Sequence, residues 1–243
     1  MKDKVATIYK DGTYAAANPN CGEENTVWKA GQVMRMITKA GLRPQSVCEI
    51  GCGSGGILVE LQRHLPAVQF LGVEPMPEAY KHCSAKTREG ISFVNCTANE
   101  LTEAYDLILL LDVFEHVEDF MGFLRSIRHL GREFVFHIPL DMTAQMVLRD
   151  EPIMRVRKEV GHLHYFSKNT ALAALRDTGY EVADWFYSNM RGSAYAALKT
   201  RLMRWPRKIL MKLAPDFAVR LLGGIPITVH ARPASPNGNP VTK

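Results

Sequence analysis

The chain has no long apolar run. Its longest, around Leu107 to Leu111, is far short of the ~20 residues that a membrane-crossing helix needs. The N-terminal stretch Met1 to Tyr14 intersperses Lys2, Asp3, Lys4, Lys10 and Asp11, and it lacks the apolar core of a secretory signal. Cysteine is scarce and irregularly spaced. Cys21, Cys48, Cys52, Cys83 and Cys96 form an odd set without a CxxC pair, which argues against a disulfide framework or a zinc site and for reduced thiols packed in a core. No recognisable nucleic-acid-binding module is present, and a net charge of +5 is too modest to imply a nucleic-acid partner. These absences predict a soluble, cytoplasmic protein that binds no nucleic acid, and they single out no metal-ligating residues, leaving metal dependence open.

What is present is a core-forming composition: 243 residues, 47% of them hydrophobic, enough for one principal domain. Short apolar runs alternate with helical patterns from Pro44 onward, so the chain reads as α/β, a sheet covered by helices. Strands are expected at Val47 to Ile50, Val68 to Val73, Ile91 to Asn95, Asp106 to Leu111, Phe134 to Ile138, Tyr180 to Phe186 and Ile225 to Ala231. Helices are expected at Val27 to Ala40, Ile57 to Leu65, Glu78 to Arg88, Asp119 to Leu130 and Thr170 to Thr178. Residues 1–42 read as an N-terminal lid and 43–232 as the main domain. Within it, 188–224 reads as a helical cap inserted before the last strand, and 233–243 as a disordered tail.

Between the first strand and its helix lies Glu49-Ile50-Gly51-Cys52-Gly53-Ser54-Gly55-Gly56. Such a turn lets backbone approach a ligand closely, and the helix behind it presents free N–H groups. Gly51, Gly53 and Gly56 formally match the dinucleotide fingerprint GxGxxG, while Gly51, Gly53 and Gly55 match GxGxG. Glu49 weighs between them: it would repel a pyrophosphate but attract a ligand carrying an ammonium and a sulfonium. Glu74, at the end of the second strand, suits a ribose diol in either case.

These blocks, with Gly72-Val73-Glu74-Pro75, Tyr105-Asp106-Leu107-Ile108, Asp112 to Val117 and Gly161 to Ser167, resemble the class I methyltransferases of small-molecule type. The resemblance implies a seven-stranded Rossmann-like sheet with helices on both faces, and S-adenosylmethionine as methyl donor. It implies that Glu49, Gly51, Cys52, Gly53 and Gly55 surround the methionine part, that Glu74 binds the ribose, and that Pro75 and Met76 flank the adenine. Thr97-Ala98 stands where many relatives have Asp-Ala against the adenine amine, and Asp112 with Val113 would border the donor. Tyr14 and Trp28 are similar to the lid of bacterial members associated with glycan and secondary-metabolite pathways. Asp112-Val113-Phe114-Glu115 departs from the Asn/Asp-Pro-Pro-aromatic motif of exocyclic-amine methylases. This favours an oxygen acceptor on a sugar, glycan precursor or secondary metabolite. An NAD(P)-dependent oxidoreductase and a catalytically inactive donor-binding protein stand as the alternatives.

For a hydroxyl acceptor, a histidine near its ordinary pKa of ~6.5 could take the proton. His162 is the first candidate, then His116 and His164, with His137 also in reach; His162 and His164 share one face of an extended segment. The cap carries Lys199, Arg201, Arg204, Arg207, Lys208, Lys212 and Arg220 against a single acid, Asp216. Tyr195, Leu198, Leu202, Trp205, Ile209 and Leu213 fall on one helical side, with Pro206 expected to break the run in two. Such a cap would pack on the domain or meet an anionic or lipid-linked acceptor or a membrane surface.

Overall fold

The structure is a computed structural model. It describes residues 23–188, 204–223 and 225–235, and the side chains of all of these except 204–208. Seven strands form one sheet: β1 (Ser46–Ile50), β2 (Gln69–Val73), β3 (Ile91–Val94), β4 (Tyr105–Leu111), β5 (Gly131–Ile138), β6 (Tyr180–Tyr187) and β7 (Ile227–Pro233). Their spatial order is β3-β2-β1-β4-β5-β7-β6; all neighbours are parallel except β7, which runs antiparallel to β5 and β6. The order reverses between β1 and β4, where open α/β sheets leave a crevice at the carboxyl ends of the strands.

Strand alternation divides the core between the two faces. Val47, Leu107, Leu109, Leu111 and Val135 meet α1 (Thr26–Ala40) and α2 (Gly56–His64) on one face. Cys48, Ile50, Ile108, Leu110, Phe134 and Phe136 meet α4 (Phe120–Ser126) and α7 (Lys168–Asp177) on the other. The intervening α3 (Pro77–Ser84) lies beside β3. The unbroken apolar run Leu107–Leu111 in β4 follows from burial on both sides.

Of the expected N-terminal lid, residues 1–22 lie outside the described residues, and the helix that follows them packs on the domain. Ala30, Val33, Met36 and Ile37 of α1 are buried against the sheet, and Gly41 ends the helix in a left-handed cap. Burying Val33, Met36 and Ile37 is worth on the order of 5 kcal/mol, so α1 is part of the core.

Between β5 and α7 the chain forms two helices that periodicity did not reveal, α5 (Ala144–Arg149) and α6 (Glu151–Glu159). The cap contains α8 (Arg204–Leu213) and α9 (Pro215–Leu222). Pro206 does not break the run. It lies within α8, and the interruption falls at Ala214–Pro215. Ile209 and Leu213 are exposed, not packed on the domain. β7 continues through Pro233 and Ala234 donates to the Gly179 carbonyl, so order extends past the expected start of the tail. Tyr14, Cys21, Tyr195, Leu198 and Leu202 lie outside the described residues.

Candidate active site

The glycine loop takes the shape its composition demands. Gly51, Gly53 and Gly55 have φ of 72°, 54° and 73°, a region that side chains disfavour. At Gly55 a Cβ would also lie 2.6 Å from the Phe93 ring. The loop is pinned by Gly51 and Cys52, whose N–H groups donate to the Val73 carbonyl, and by Glu74. The Glu74 carboxylate accepts from Gly53 N at 2.8 Å and Met76 N at 2.9 Å. Burial pushes the Glu74 carboxyl up while these two bonds pull it down. Both oxygens keep lone pairs for a diol. Asn95 holds the same turn by donating to the Glu74 carbonyl at 2.6 Å.

Glu49 is 1% exposed, and its Oε2 has no hydrogen-bond partner. Burial, reinforced by Glu74 and opposed by Lys29, pushes its carboxyl up to about 8. A buried carboxylate with one oxygen unpartnered, beside a glycine cradle, is complementary to a cationic ligand group. Met76 is buried and Pro75 exposed at the rim. Ala98 is buried, whereas Thr97 is exposed and its hydroxyl donates to Glu100 at 2.8 Å, leaving only its lone pairs for a ligand. These residues could hold S-adenosylmethionine, with Glu49 toward the amino-acid end and Glu74 toward the ribose.

Across the crevice, Asp112 has the unusual φ of 62°. Its carboxylate contacts Lys29 Nζ at 2.9 Å and His137 Nδ1 at 2.5 Å. Burial opposes ionisation, but the neighbouring His137 and Lys29 outweigh it and hold the carboxyl well below the usual range. Lys29 is half-buried, which disfavours its charge, but Asp112, Glu49 and Glu115 together keep its ammonium charged. Trp28 packs edge-on against His137 with ring centroids 5.3 Å apart. Val113 borders the loop: a Cβ on Gly51 would lie 3.0 Å from it.

A second cluster adjoins this one through Glu115. The turn Phe114–His116 is joined to the 161–164 segment, where Leu163 N and His164 N donate to the Glu115 carbonyl. His162 Nδ1 pairs with Asp141 Oδ2 at 2.6 Å, and the His116 and His162 rings meet edge-on at 4.8 Å. Burial, then His162, pushes His116 down to about 4. Glu115 is fully buried, neither carboxylate oxygen has a hydrogen-bond partner, and burial with nearby Asp112 raises its carboxyl. Glu115, His116 and His162 offer ligand atoms within 4.8 Å of one another and could hold a divalent ion.

His164 points elsewhere. Its Nε2 donates to the Val117 and Glu118 carbonyls at 2.9 and 3.1 Å, which gives that ring a structural task. A depression of about 470 Å³ that includes Phe120, His164 and Phe166 shares no residue with the glycine loop.

Sequence reasoning missed Asp141, the buried state of Glu115, and Lys29 as the cation of the crevice. Their only signal was position: Asp141 follows β5, whose carboxyl end lies beside that of β4.

The methyltransferase-domain family model matches residues 28–184. Ubiquinone biosynthesis O-methyltransferase of Aeromonas salmonicida (strain A449) is 30% identical over 175 residues, covering 66% of this chain and 71% of that protein. The protein of the same name from Vibrio vulnificus (strain YJ016) is 32% identical over 99 residues, covering 37% of this chain and 41% of its own. Among solved structures, magnesium protoporphyrin IX methyltransferase from Synechocystis PCC 6803 with bound SAM superimposes with a TM-score of 0.60 at 13% identity, over 96% of this chain and 99% of that one. The plantazolicin methyltransferase BpumL with SAH gives 0.61 at 14% identity, over 95% and 94%.

A sheet reversing at β1 and β4, a glycine loop and paired acids thus coincide with a family match over most of the chain. The chain belongs to the methyltransferase-domain family and is a class I S-adenosylmethionine-dependent methyltransferase. This decides against the oxidoreductase and the inactive binding protein.

Proposed function

We propose that the enzyme methylates a hydroxyl oxygen of a small or medium-sized acceptor, with His162 taking the acceptor's proton. The observation that carries this reading is the Asp141–His162 pair. With Nδ1–H donated to Asp141, the other ring nitrogen, Nε2, is left as the basic lone pair. The donor supplies an electrophilic methyl on a sulfonium. The O–CH3 bond forms as the S–CH3 bond breaks, and the proton passes to His162. Glu49 and Glu74 hold the donor at the β1–β4 crevice, and Asp112, fixed by Lys29 and His137, shapes the wall between donor and acceptor. Much of the rate comes from holding the two reactants in line in a water-poor cleft.

The curated relatives described above are named as ubiquinone biosynthesis O-methyltransferases, which supports an oxygen acceptor. The expected sugar or glycan acceptor has no such support. We place first a hydroxylated compound with an apolar body, a description that a lipid-linked glycan precursor also meets.

The test is formation of S-adenosylhomocysteine from a panel of such acceptors, repeated with His162→Gln. Turnover should fall about 100-fold or more while donor affinity stays within about twofold. Unchanged turnover would remove His162 from the mechanism.

A further inference from the structure

Among the described residues, every strongly exposed large apolar side chain except Val27 lies in one part of the molecule. Met142, Val147, Leu148 and Met154 belong to the α5–α6 segment, and Ile209, Leu213, Phe217 and Leu221 to α8 and α9. These four helices pack in series, α8 on α9, α9 on α5 and α5 on α6. Leu148 is 86% and Leu213 77% exposed, values that a soluble surface seldom shows in such a group. The same helices expose Arg149, Arg155, Arg157, Lys158, Lys212 and Arg220. Nearby acids are fewer, and Asp216 is taken up by Lys168 at 2.5 Å and Tyr187 at 2.7 Å.

We propose that this apolar, cation-flanked face docks on an anionic lipid bilayer. Apolar side chains enter the headgroup boundary while arginine and lysine heads remain at the level of the phosphates, the arrangement of an interfacial helix. Charge argues for this occupant over a second copy: symmetric pairing of the face would bring two basic rims together, whereas an anionic leaflet attracts each cation.

The face is also continuous with the acceptor side. The segment bearing α5 and α6 begins directly after Asp141 and ends directly before His162, the two members of the proposed proton-accepting pair. Docking would therefore set that pair at the membrane surface. This last step rests on the function proposed above and provides a route for an acceptor with an apolar body.

The experiment is flotation of the full chain with vesicles of phosphatidylcholine, with and without an equal part of phosphatidylglycerol, at low and high salt. No acceptor is present, so the outcome does not depend on the acceptor reading. The native chain should float with the anionic vesicles and dissociate at high salt. The double variant Leu148→Glu, Leu213→Glu should bind at least about tenfold more weakly. Retained titration with S-adenosylmethionine shows that it is folded; if it is not, the pair Ile209→Ser, Phe217→Ser replaces it. Absence of flotation would overturn the proposal, as would flotation indifferent to both variants. So would self-association that the variants abolish without any vesicle binding, which would assign the face to a second copy.

Discussion

Replacing Glu49 with glutamine should make the protein more resistant to unfolding as pH rises, while removing its grip on the donor. Glu49 has an ordinary carboxyl value of 4.5 when unfolded and about 8 when buried in the fold. The folded chain therefore holds a proton that the unfolded chain releases. This contribution to stability is complete below pH 4.5 and is lost as pH rises toward 8. At 1.36 kcal/mol per pH unit, the native protein should lose roughly 3 kcal/mol between pH 5 and pH 7.5 through this one group. Glu49→Gln carries no such proton, so the gap between variant and native unfolding free energies should widen by about that amount over the interval. Any constant packing cost of the amide cancels in the comparison. Denaturant titration at several pH values measures the gap, and calorimetric titration with S-adenosylmethionine should show binding lost at all of them. Parallel stability curves for the two proteins would refute the assignment of a buried, unpaired carboxyl at this position. Undiminished donor binding would refute its role.

Lys29→Met should leave Asp112 with His137 alone and deprive Glu49 of its nearest cation. We expect a stability loss of about 3 kcal/mol in denaturant titration, and donor binding that requires a higher pH than in the native protein. Binding with an unchanged pH midpoint would show that Lys29 does not act on Glu49. Gly55→Ala combines a left-handed φ of 73° with a Cβ 2.6 Å from Phe93; it should cost about 2–4 kcal/mol and weaken the donor, and a fully stable variant would contradict the loop geometry. Chelation by EDTA should leave turnover intact if His162 acts as the base. A loss restored by a divalent ion would instead assign Glu115, His116 and His162 to a metal.

Much of the architecture was legible in the residues because it depends on local pattern. The alternation of short apolar runs with helical periods located all seven strands within a few residues, and Gly51, Gly53 and Gly55 announced the turn because only glycine rests easily at those angles. Glu49 and Glu74 were identifiable because each lies at the carboxyl end of a strand beside the loop, a placement that chain order alone specifies. The helices α5 and α6 escaped notice because they leave Val147, Leu148 and Met154 in solvent and so carry no clear buried stripe. Pro206 misled because a proline ordinarily reads as a break, whereas α8 carries it and the interruption comes at Pro215.

By itself the sequence determined the sheet, its order of elements and the glycine turn with its two acids, since those follow from periodicity, glycine and charge along a single stretch of chain. Tertiary structure alone decided the side-chain clusters across the crevice. Asp141 and His162 are 21 residues apart, and Lys29 and Asp112 come from opposite sides of the glycine loop in the chain. They meet only because α1 packs across one sheet face and the 161–164 segment folds onto the turn after β4. The surroundings, which no residue carries by itself, then set the state of each charge: Lys29 and His137 hold Asp112 ionised against its burial, while both oxygens of Glu115 and one of Glu49 are left without a hydrogen bond.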